Sequence, residues 1–245
     1  MSLQQTIDSL GQLSLKGMAE GLRHQSEAPS FSEMPFENRL SHLVHAERSW
    51  RDTMRFKRII KSAKLKIVAN PDEIDFRAGR NLDRSQIGEL LTCRWVEQHD
   101  DVVITGATGT GKTWLACALG VQAARFGHTL RYARTATLLE TMLLAHKDGS
   151  IAKIRAAFAR FDLLVLDDFG LASMTEQGKQ DLLDIVDSRT RSGSIIYSGQ
   201  LPLKDWHDYI ASPMVADAIV DRVASNAHRL QLHGESMRRV QQRPN

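Results

Sequence analysis

The chain has 245 residues, of which 42% are hydrophobic and 25% charged, and its formal net charge is only +3. This is the composition of an ordinary soluble globular protein, and the length favours one α/β domain with a smaller appendage. No apolar run approaches the roughly 18 residues of a membrane span, the N-terminus does not resemble a secretion signal, and the two isolated cysteines are typical of a cytoplasmic protein.

The N-terminal part is predicted to be helical. Residues 3–25 have apolar side chains at three- and four-residue spacing, which indicates one helix. Ser32 is expected to cap a second helix that continues to about Ile60. The polar, turn-rich stretch 68–81 has no helical period and marks a domain boundary. The predicted domains are a basic helical region, 1–68, and a larger domain, 69–245.

Positive charge is concentrated towards the end of the second helix. Four arginines recur there at three- and four-residue spacing, so they share one helical face. A cation that neutralises a phosphate releases a counterion, and such a face therefore predicts contact with a DNA backbone, with little base reading. An ordinary solvated face is the alternative. The predicted DNA-binding residues are Arg48, Arg51, Arg55, Arg58, Lys61 and Lys64.

Short apolar strands alternate with helices in the larger domain. This alternation predicts an α/β fold with a parallel sheet that is covered on both faces. The strands are predicted at 101–105, 129–133, 162–167, 194–198 and 229–233. The helices are predicted at 112–126, from about 136, at 175–191, and after Ser212, with Pro213 in its first position.

The first of these strands leads into the stretch GATGTGKT, which fits the phosphate-binding pattern G-x-x-x-x-G-K-[ST]. Its glycines allow successive N–H groups to point at phosphate oxygens, and the helix that follows adds its positive end. Lys112 is expected to reach the β- and γ-phosphates, and Thr113 to offer its hydroxyl to Mg²⁺. The predicted nucleotide-binding residues here are Gly106, Ala107, Thr108, Gly109, Thr110, Gly111, Lys112 and Thr113.

Two adjacent carboxylates, Asp167 and Asp168, end the third strand. Charges beside an apolar core are costly unless they are compensated, so a cation is expected there. Asp167 is predicted to bind Mg²⁺ from a strand neighbouring the phosphate loop, and Asp168 to orient or deprotonate the attacking water. A helix cap or surface salt bridge is the alternative for Asp168. The two motifs predict a P-loop NTPase that uses ATP and Mg²⁺.

Longer stretches resemble the IstB-like AAA+ ATPases, the ATP-binding helper proteins encoded beside a transposase in bacterial insertion sequences. These stretches are GATGTGKTWLACALG, LLVLDDFG, SGQLPLKDWHDYIASPMVADAIVDRV and NAHRLQLHGESMRR, with LSLKGMAEGL and ERSWRDTMRFKRIIKSAKLK nearer the start. The resemblance implies an AAA+ domain, ATP hydrolysis stimulated by DNA, and a homo-oligomer with ATP sites between subunits. The helicase loader DnaC is the nearest functionally different relative.

The resemblance also assigns two sensor positions. Gln200 corresponds to the sensor that reads the γ-phosphate; relatives have Ser-Gln where this chain has Ser-Gly-Gln, so Ser198 is the alternative. Arg238 corresponds to the second sensor, which contacts the nucleotide, and Arg239 is its alternative.

Arg222 corresponds to the arginine finger that reaches the ATP of a neighbouring subunit. Without the resemblance, a solvated pair with Asp221 is the better interpretation. Many ATPases of this class have Asp-Glu where this chain has Asp-Asp, and the shorter side chain predicts slow or partner-dependent hydrolysis. The predicted catalytic residues are Lys112, Asp168 and Arg222.

The predicted function is that of an ATP-dependent transposition helper. It assembles on duplex target DNA, recruits or stimulates a transposase, and disassembles on hydrolysis. Three rivals stay open: a DnaC-like helicase loader, a small-molecule kinase, and a DNA-bending protein with a vestigial ATPase.

Overall fold

The computed structural model describes residues 2–76 and 79–237. Two compact units can be distinguished, Met1–Arg58 and Ile59–Asn245. Among the residues described, no helix is both long and apolar enough to cross a membrane.

The N-terminal unit is helical. It contains α1 (Leu3–Gln12), α2 (Lys16–Glu27) and most of α3 (Phe36–Ala63), which ends in the second unit. The single helix predicted over 3–25 is wrong, because Ser14 takes a φ of 61° and interrupts the chain between α1 and α2. Ser32 follows a one-turn 3₁₀ helix instead of capping α3, so that prediction is also wrong.

The second unit is built on five parallel strands in the order β2-β3-β4-β1-β5, as expected for an α/β fold. Their apolar runs are buried on both faces because helices flank the sheet. The strands are β1 (Val102–Gly106), β2 (Leu130–Arg134), β3 (Leu163–Phe169), β4 (Ser194–Gly199) and β5 (His228–Leu232).

Among the described residues, eight further α-helices belong to this unit; the first two precede β1 and the other six connect the strands. Those predicted from the sequence are confirmed with small shifts at their ends. The four predicted helices are α6 (Lys112–Arg125), α7 (Thr135–Asp148), α9 (Glu176–Arg189) and α11 (Pro213–Asn226). The four that were not predicted are α4 (Arg84–Leu91), α5 (Arg94–Glu97), α8 (Ile151–Ala159) and α10 (Trp206–Ile210).

The strand order corrects one expectation about the site. β4 lies between β1 and β3, so the phosphate loop and the paired aspartates come from strands that are not adjacent. Both still end at the carboxyl edge of the sheet, where parallel α/β sheets bind ligands. The strand between them therefore contributes its own carboxyl end to the same place.

A β-bulge shapes that edge. Leu166 pairs with Tyr197, but Phe169 pairs with Gly199, so β3 has one more residue than β4 in this interval. Asp168, inside the bulge, takes a φ of 55°. A side chain at Gly199 would collide with the main chain of Phe169, which explains why glycine stands there.

Candidate nucleotide site

The loop between β1 and α6 has the conformation of a phosphate cradle. Gly106, Gly109 and Gly111 have φ values of 147°, 87° and 91°, which side chains with a Cβ rarely adopt. A Cβ at Gly106 would also collide with the main chain of β5. Lys112 donates from Nζ to the carbonyl oxygen of Ala107 at 2.8 Å, so its ammonium lies over the loop.

Thr110 packs inside the phosphate loop, and the tip of the loop is exposed. Thr110 is buried, and its hydroxyl donates to the Ala107 carbonyl at 2.9 Å. Ala107 and Thr108 are exposed at the tip. Ala107 and Thr108 are therefore accessible to a ligand at the start of α6, whose N-terminus favours negative charge, whereas Thr110 supports the loop from inside.

Asp167 is the centre of the site. It is 1% exposed, although it carries a carboxylate. Lys66 Nζ lies 3.9 Å from Oδ2. Three hydroxyl groups donate to this carboxylate: Thr113 Oγ1 at 2.9 Å, Ser198 Oγ at 2.8 Å and Tyr132 Oη at 2.7 Å.

The Tyr132 hydroxyl stays protonated in this network. Burial, and next the hydrogen bond to Asp167, raise the pKa of Tyr132 well above its usual value. The phenol therefore keeps its proton at physiological pH and holds Oδ2 of Asp167 in place. Thr135 donates to the main-chain oxygen of Asp167 at 3.0 Å, which fixes the backbone as well.

Asp168 lies beside this network and is more open. Its Oδ2 is 3.3 Å from Nε of Arg134, and the two side chains are 34% and 56% exposed. A surface salt bridge was the alternative interpretation of Asp168, and this contact is such a pair. The contact with Arg134 involves only Oδ2 and is partly solvated, so it leaves the other oxygen of Asp168 available for a further partner.

The two candidates for the first sensor lie in different surroundings. Ser198 is fully buried in β4 and contacts Asp167, whereas Gln200 follows the strand and is exposed. The predicted second sensor, Arg238, and its alternative Arg239 lie outside the described residues. Met237 donates its N–H to the carbonyl oxygen of Gly109 at 2.9 Å.

Arg222 is not brought to the Asp167 network. It lies on α11, where Nε pairs with Asp187 of α9 and Nη1 donates to the main-chain oxygen of Ala218 at 2.6 Å. The expected alternative partner was Asp221, and the observed one is Asp187. The two paired side chains are 35% and 44% exposed, so this pair is partly solvated.

Arg80 and Tyr132 belong to the site but do not follow from the sequence motifs. Arg80 donates from Nη2 to the carbonyl oxygen of Thr110 at 2.8 Å and so braces the phosphate loop. It stands in the stretch that the sequence marks only as a boundary. Tyr132 was missed because a tyrosine in a strand resembles a core residue. The available signal was that Tyr132 lies two residues before the carboxyl end of β2, the edge of the sheet where ligands bind.

The predicted DNA-binding residues are all exposed. Arg51 makes an ion pair of 2.6 Å with Glu47, which is 7% exposed and also accepts from the N–H of Met18. Arg51 therefore has a structural role within the N-terminal unit. The others are Arg48, Arg55 and Arg58 on α3 in that unit, and Lys61 and Lys64 in the second unit.

The residues of the site fit a magnesium-bound triphosphate. The Thr113 hydroxyl and the Asp167 carboxylate are adjacent oxygen donors, which Mg²⁺ prefers. The positive φ values of the loop glycines and the start of α6 suit phosphate oxygens. Thr113 and Asp167 would hold the ion, and the loop with Lys112 would hold the phosphates.

Solved structures with this fold include two replication proteins. The helicase loader DnaC has a TM-score of 0.54 and 21% identity, over 67% of this chain and 96% of that one. DnaA from Aquifex aeolicus, bound to AMPPCP, has a TM-score of 0.58 and 23% identity, over 71% of this chain. The match spans about half of the DnaA chain, 53%. These likenesses establish the fold alone, a parallel sheet flanked by helices that this chain shares with those proteins.

The chain is similar in sequence to proteins that are named as ATP-binding proteins of insertion sequences. A protein of Sinorhizobium fredii, named as an insertion sequence ATP-binding protein, is 38% identical over 97% of both chains. A protein of Pseudomonas fluorescens, named as an ATP-binding protein of insertion sequence IS1162, is 43% identical over 82% of this chain and 88% of that chain. The profile described as "IstB-like ATP binding protein" matches residues 8–245. The chain therefore belongs to the family of IstB-like ATP-binding proteins.

Proposed function

We propose that the protein hydrolyses ATP and uses the nucleotide to control its assembly on duplex DNA for a transposase. The observation that carries the proposal is the buried Asp167, which the Thr113 hydroxyl joins to the phosphate loop at 2.9 Å. A buried carboxylate with three hydroxyl donors and a glycine-built phosphate loop beside it has the chemistry of an Mg²⁺·ATP site. The names of the relatives supply the setting of an insertion sequence.

The chain's own residues would divide the work of hydrolysis. Lys112 and the loop N–H groups bind and orient the phosphates. When bound, Mg²⁺ supplies charge that offsets the β- and γ-phosphate oxygens. Asp168, which β3 presents next to Asp167, orients the attacking water and accepts its proton. Arg134 holds that carboxylate from one side and leaves its other oxygen to the water.

Two further residues would sense or complete the site. The Ser198 hydroxyl, already bound to Asp167, is better placed than the exposed Gln200 to report changes at the metal ligand. Arg222 would leave Asp187 and reach the ATP of a second copy, where its charge stabilises the transition state. Arg222 would thus exchange the Asp187 carboxylate for a phosphate of the neighbouring ATP, and this exchange would link oligomerisation to hydrolysis.

The DNA contact is assigned to the exposed cations of α3 and the segment after it. A test replaces Arg48, Arg55 and Arg58 together by alanine and retains Arg51, which pairs with the buried Glu47. We expect weaker duplex binding, and a slope of log K against log[salt] that is smaller by roughly one unit per lost contact. Fluorescence anisotropy at several salt concentrations measures both.

A matched control carries the same change in charge elsewhere. Replacing Arg94, Arg191 and Lys204, which are exposed on the second unit, should leave the salt slope unchanged. Equal slopes for the wild type and the α3 variant would refute the DNA contact. Preference for single strands, with retention on a replicative helicase instead of the transposase, would favour a helicase loader.

A further inference from the structure

Within the second unit, the end of α3 and the segment that follows it pack against α6 and β2. Leu65 packs next to Gly120 of α6, and Arg131 of β2 donates to the main-chain oxygen of Ser62 at 3.1 Å. The thiol of Cys117 on α6 contacts the backbone of Lys66 and Ile67. The position of Lys66 is therefore set by contacts of its neighbours and its own main chain.

The Lys66 side chain points at the predicted metal ligand. Its Nζ is 3.9 Å from Oδ2 of Asp167, with exposures of 34% and 1% for the two side chains. The hydroxyl partners of Asp167 are neutral, so Lys66 contributes positive charge to a buried carboxylate. A separation of 3.9 Å is too long for a hydrogen bond, and the ammonium is free to be displaced towards solvent.

We propose that Lys66 is a positioning residue that balances the charge of Asp167 until a divalent cation binds and is then displaced. This rests on the proposed function, because it assumes that Asp167 binds Mg²⁺ beside a triphosphate. Two cations that compete for one carboxylate repel each other, and Lys66 is the partner with access to solvent. Lys66 therefore lowers the repulsion between Asp167 and a nucleotide that arrives without metal.

The test measures the dissociation constant of a fluorescent ATP analogue in Mg²⁺ and in EDTA. For Lys66→Met we expect binding in EDTA to weaken by roughly fivefold, as for loss of one partly screened ion pair, and binding in Mg²⁺ to stay unchanged. Lys66→Arg should retain wild-type values in both media. Lys57→Met, which removes an exposed lysine of α3, is the matched control.

The other outcomes are equally informative. Equal weakening in both media would make Lys66 a phosphate ligand and overturn the proposal, as would no change in either medium. Lys66→Gln is measured in parallel, so that a folding defect of one variant does not decide the result. Failure of the wild type to bind nucleotide even in Mg²⁺ would overturn the proposed function itself, before any variant is considered.

Discussion

Buried ionisable side chains occur at both ends of the parallel sheet, but their partners differ. At the amino end, Arg189 is 2% exposed and Asp101 is 9% exposed. Asp101 accepts from the N–H of Ile195 at 2.7 Å. Arg189 donates to four main-chain oxygens, those of Phe158, Phe161, Asp162 and Ser194.

At the carboxyl end, the partners are side chains. Asp167 is as buried as Arg189, but it is held by hydroxyl groups and approached by the Lys66 ammonium. Main-chain partners cannot leave without local unfolding of the backbone, whereas hydroxyls and ammonium groups can rotate away. Burial alone does not distinguish the two ends of the sheet. A buried ionisable group indicates a ligand site when its partners are side chains that a ligand can replace. Substitutions should accordingly affect function at one end and stability at the other.

The largest loss of activity is expected from replacing the two cations that contact the phosphates in the proposed mechanism, Lys112 and Arg222. Lys112→Ala should abolish nucleotide binding, because it removes the cation over the phosphate loop. Arg222→Ala should retain binding and lose hydrolysis by about a thousandfold or more, the usual contribution of an arginine finger. Equilibrium binding of an ATP analogue and steady-state phosphate release separate the two defects.

Arg222 has an internal control in its present partner. Asp187→Ala frees the Arg222 guanidinium without removing it, so hydrolysis should be retained. Wild-type turnover in Arg222→Ala would mean that the pair with Asp187 is only a surface ion pair and that the site between subunits has been assigned wrongly.

A smaller loss is expected for Asp168→Asn. Asparagine tolerates the positive φ of this position at least as well as aspartate, so the bulge should be preserved. The variant cannot accept a proton, and we expect turnover to fall by about a hundredfold with unchanged nucleotide affinity. Phosphate release and the melting temperature are measured on the same preparation. If the melting temperature falls together with the turnover, the carboxyl end of the sheet has a structural role too.

The sequence was sufficient for the fold and for the motif residues of the carboxyl end. Apolar runs that are buried on both faces identify parallel strands, and the phosphate loop fixes the position of Gly106 to Thr113 by local backbone geometry. The order of the strands was not accessible in this way. The place of β4 between β1 and β3 depends on pairing at long range, and it brings Ser198 to Asp167.

Contacts of single long side chains were also beyond sequence reasoning. Lys66 and Arg80 stand in polar stretches without periodicity, and only the folded chain shows that they reach Asp167 and Thr110. The break at Ser14 between α1 and α2 was missed for a related reason, since apolar spacing continues across it and the backbone angle does not follow from spacing.

The smallest effect tests the amino end, through the pH dependence of stability. Burial raises the pKa of Asp101 from 3.8 to about 7, and the N–H of Ile195 and the charge of Arg189 only partly oppose this. The folded state then binds a proton more tightly than the unfolded state. The resulting stability is fully present below pH 4 and is lost as the pH rises through about 7.

Asp101→Asn isolates this contribution, because its amide oxygen can still accept from the N–H of Ile195 while the titration is removed. We expect the difference in free energy of unfolding between variant and wild type to change by on the order of 2 kcal/mol between pH 5 and 8, in favour of the variant at high pH. Denaturant titrations at several pH values measure it. Nucleotide affinity should be the same in both proteins, since the main-chain partners of this end exchange with no ligand. A parallel stability profile for the two proteins would mean that Asp101 is ionised in the fold and balanced by Arg189.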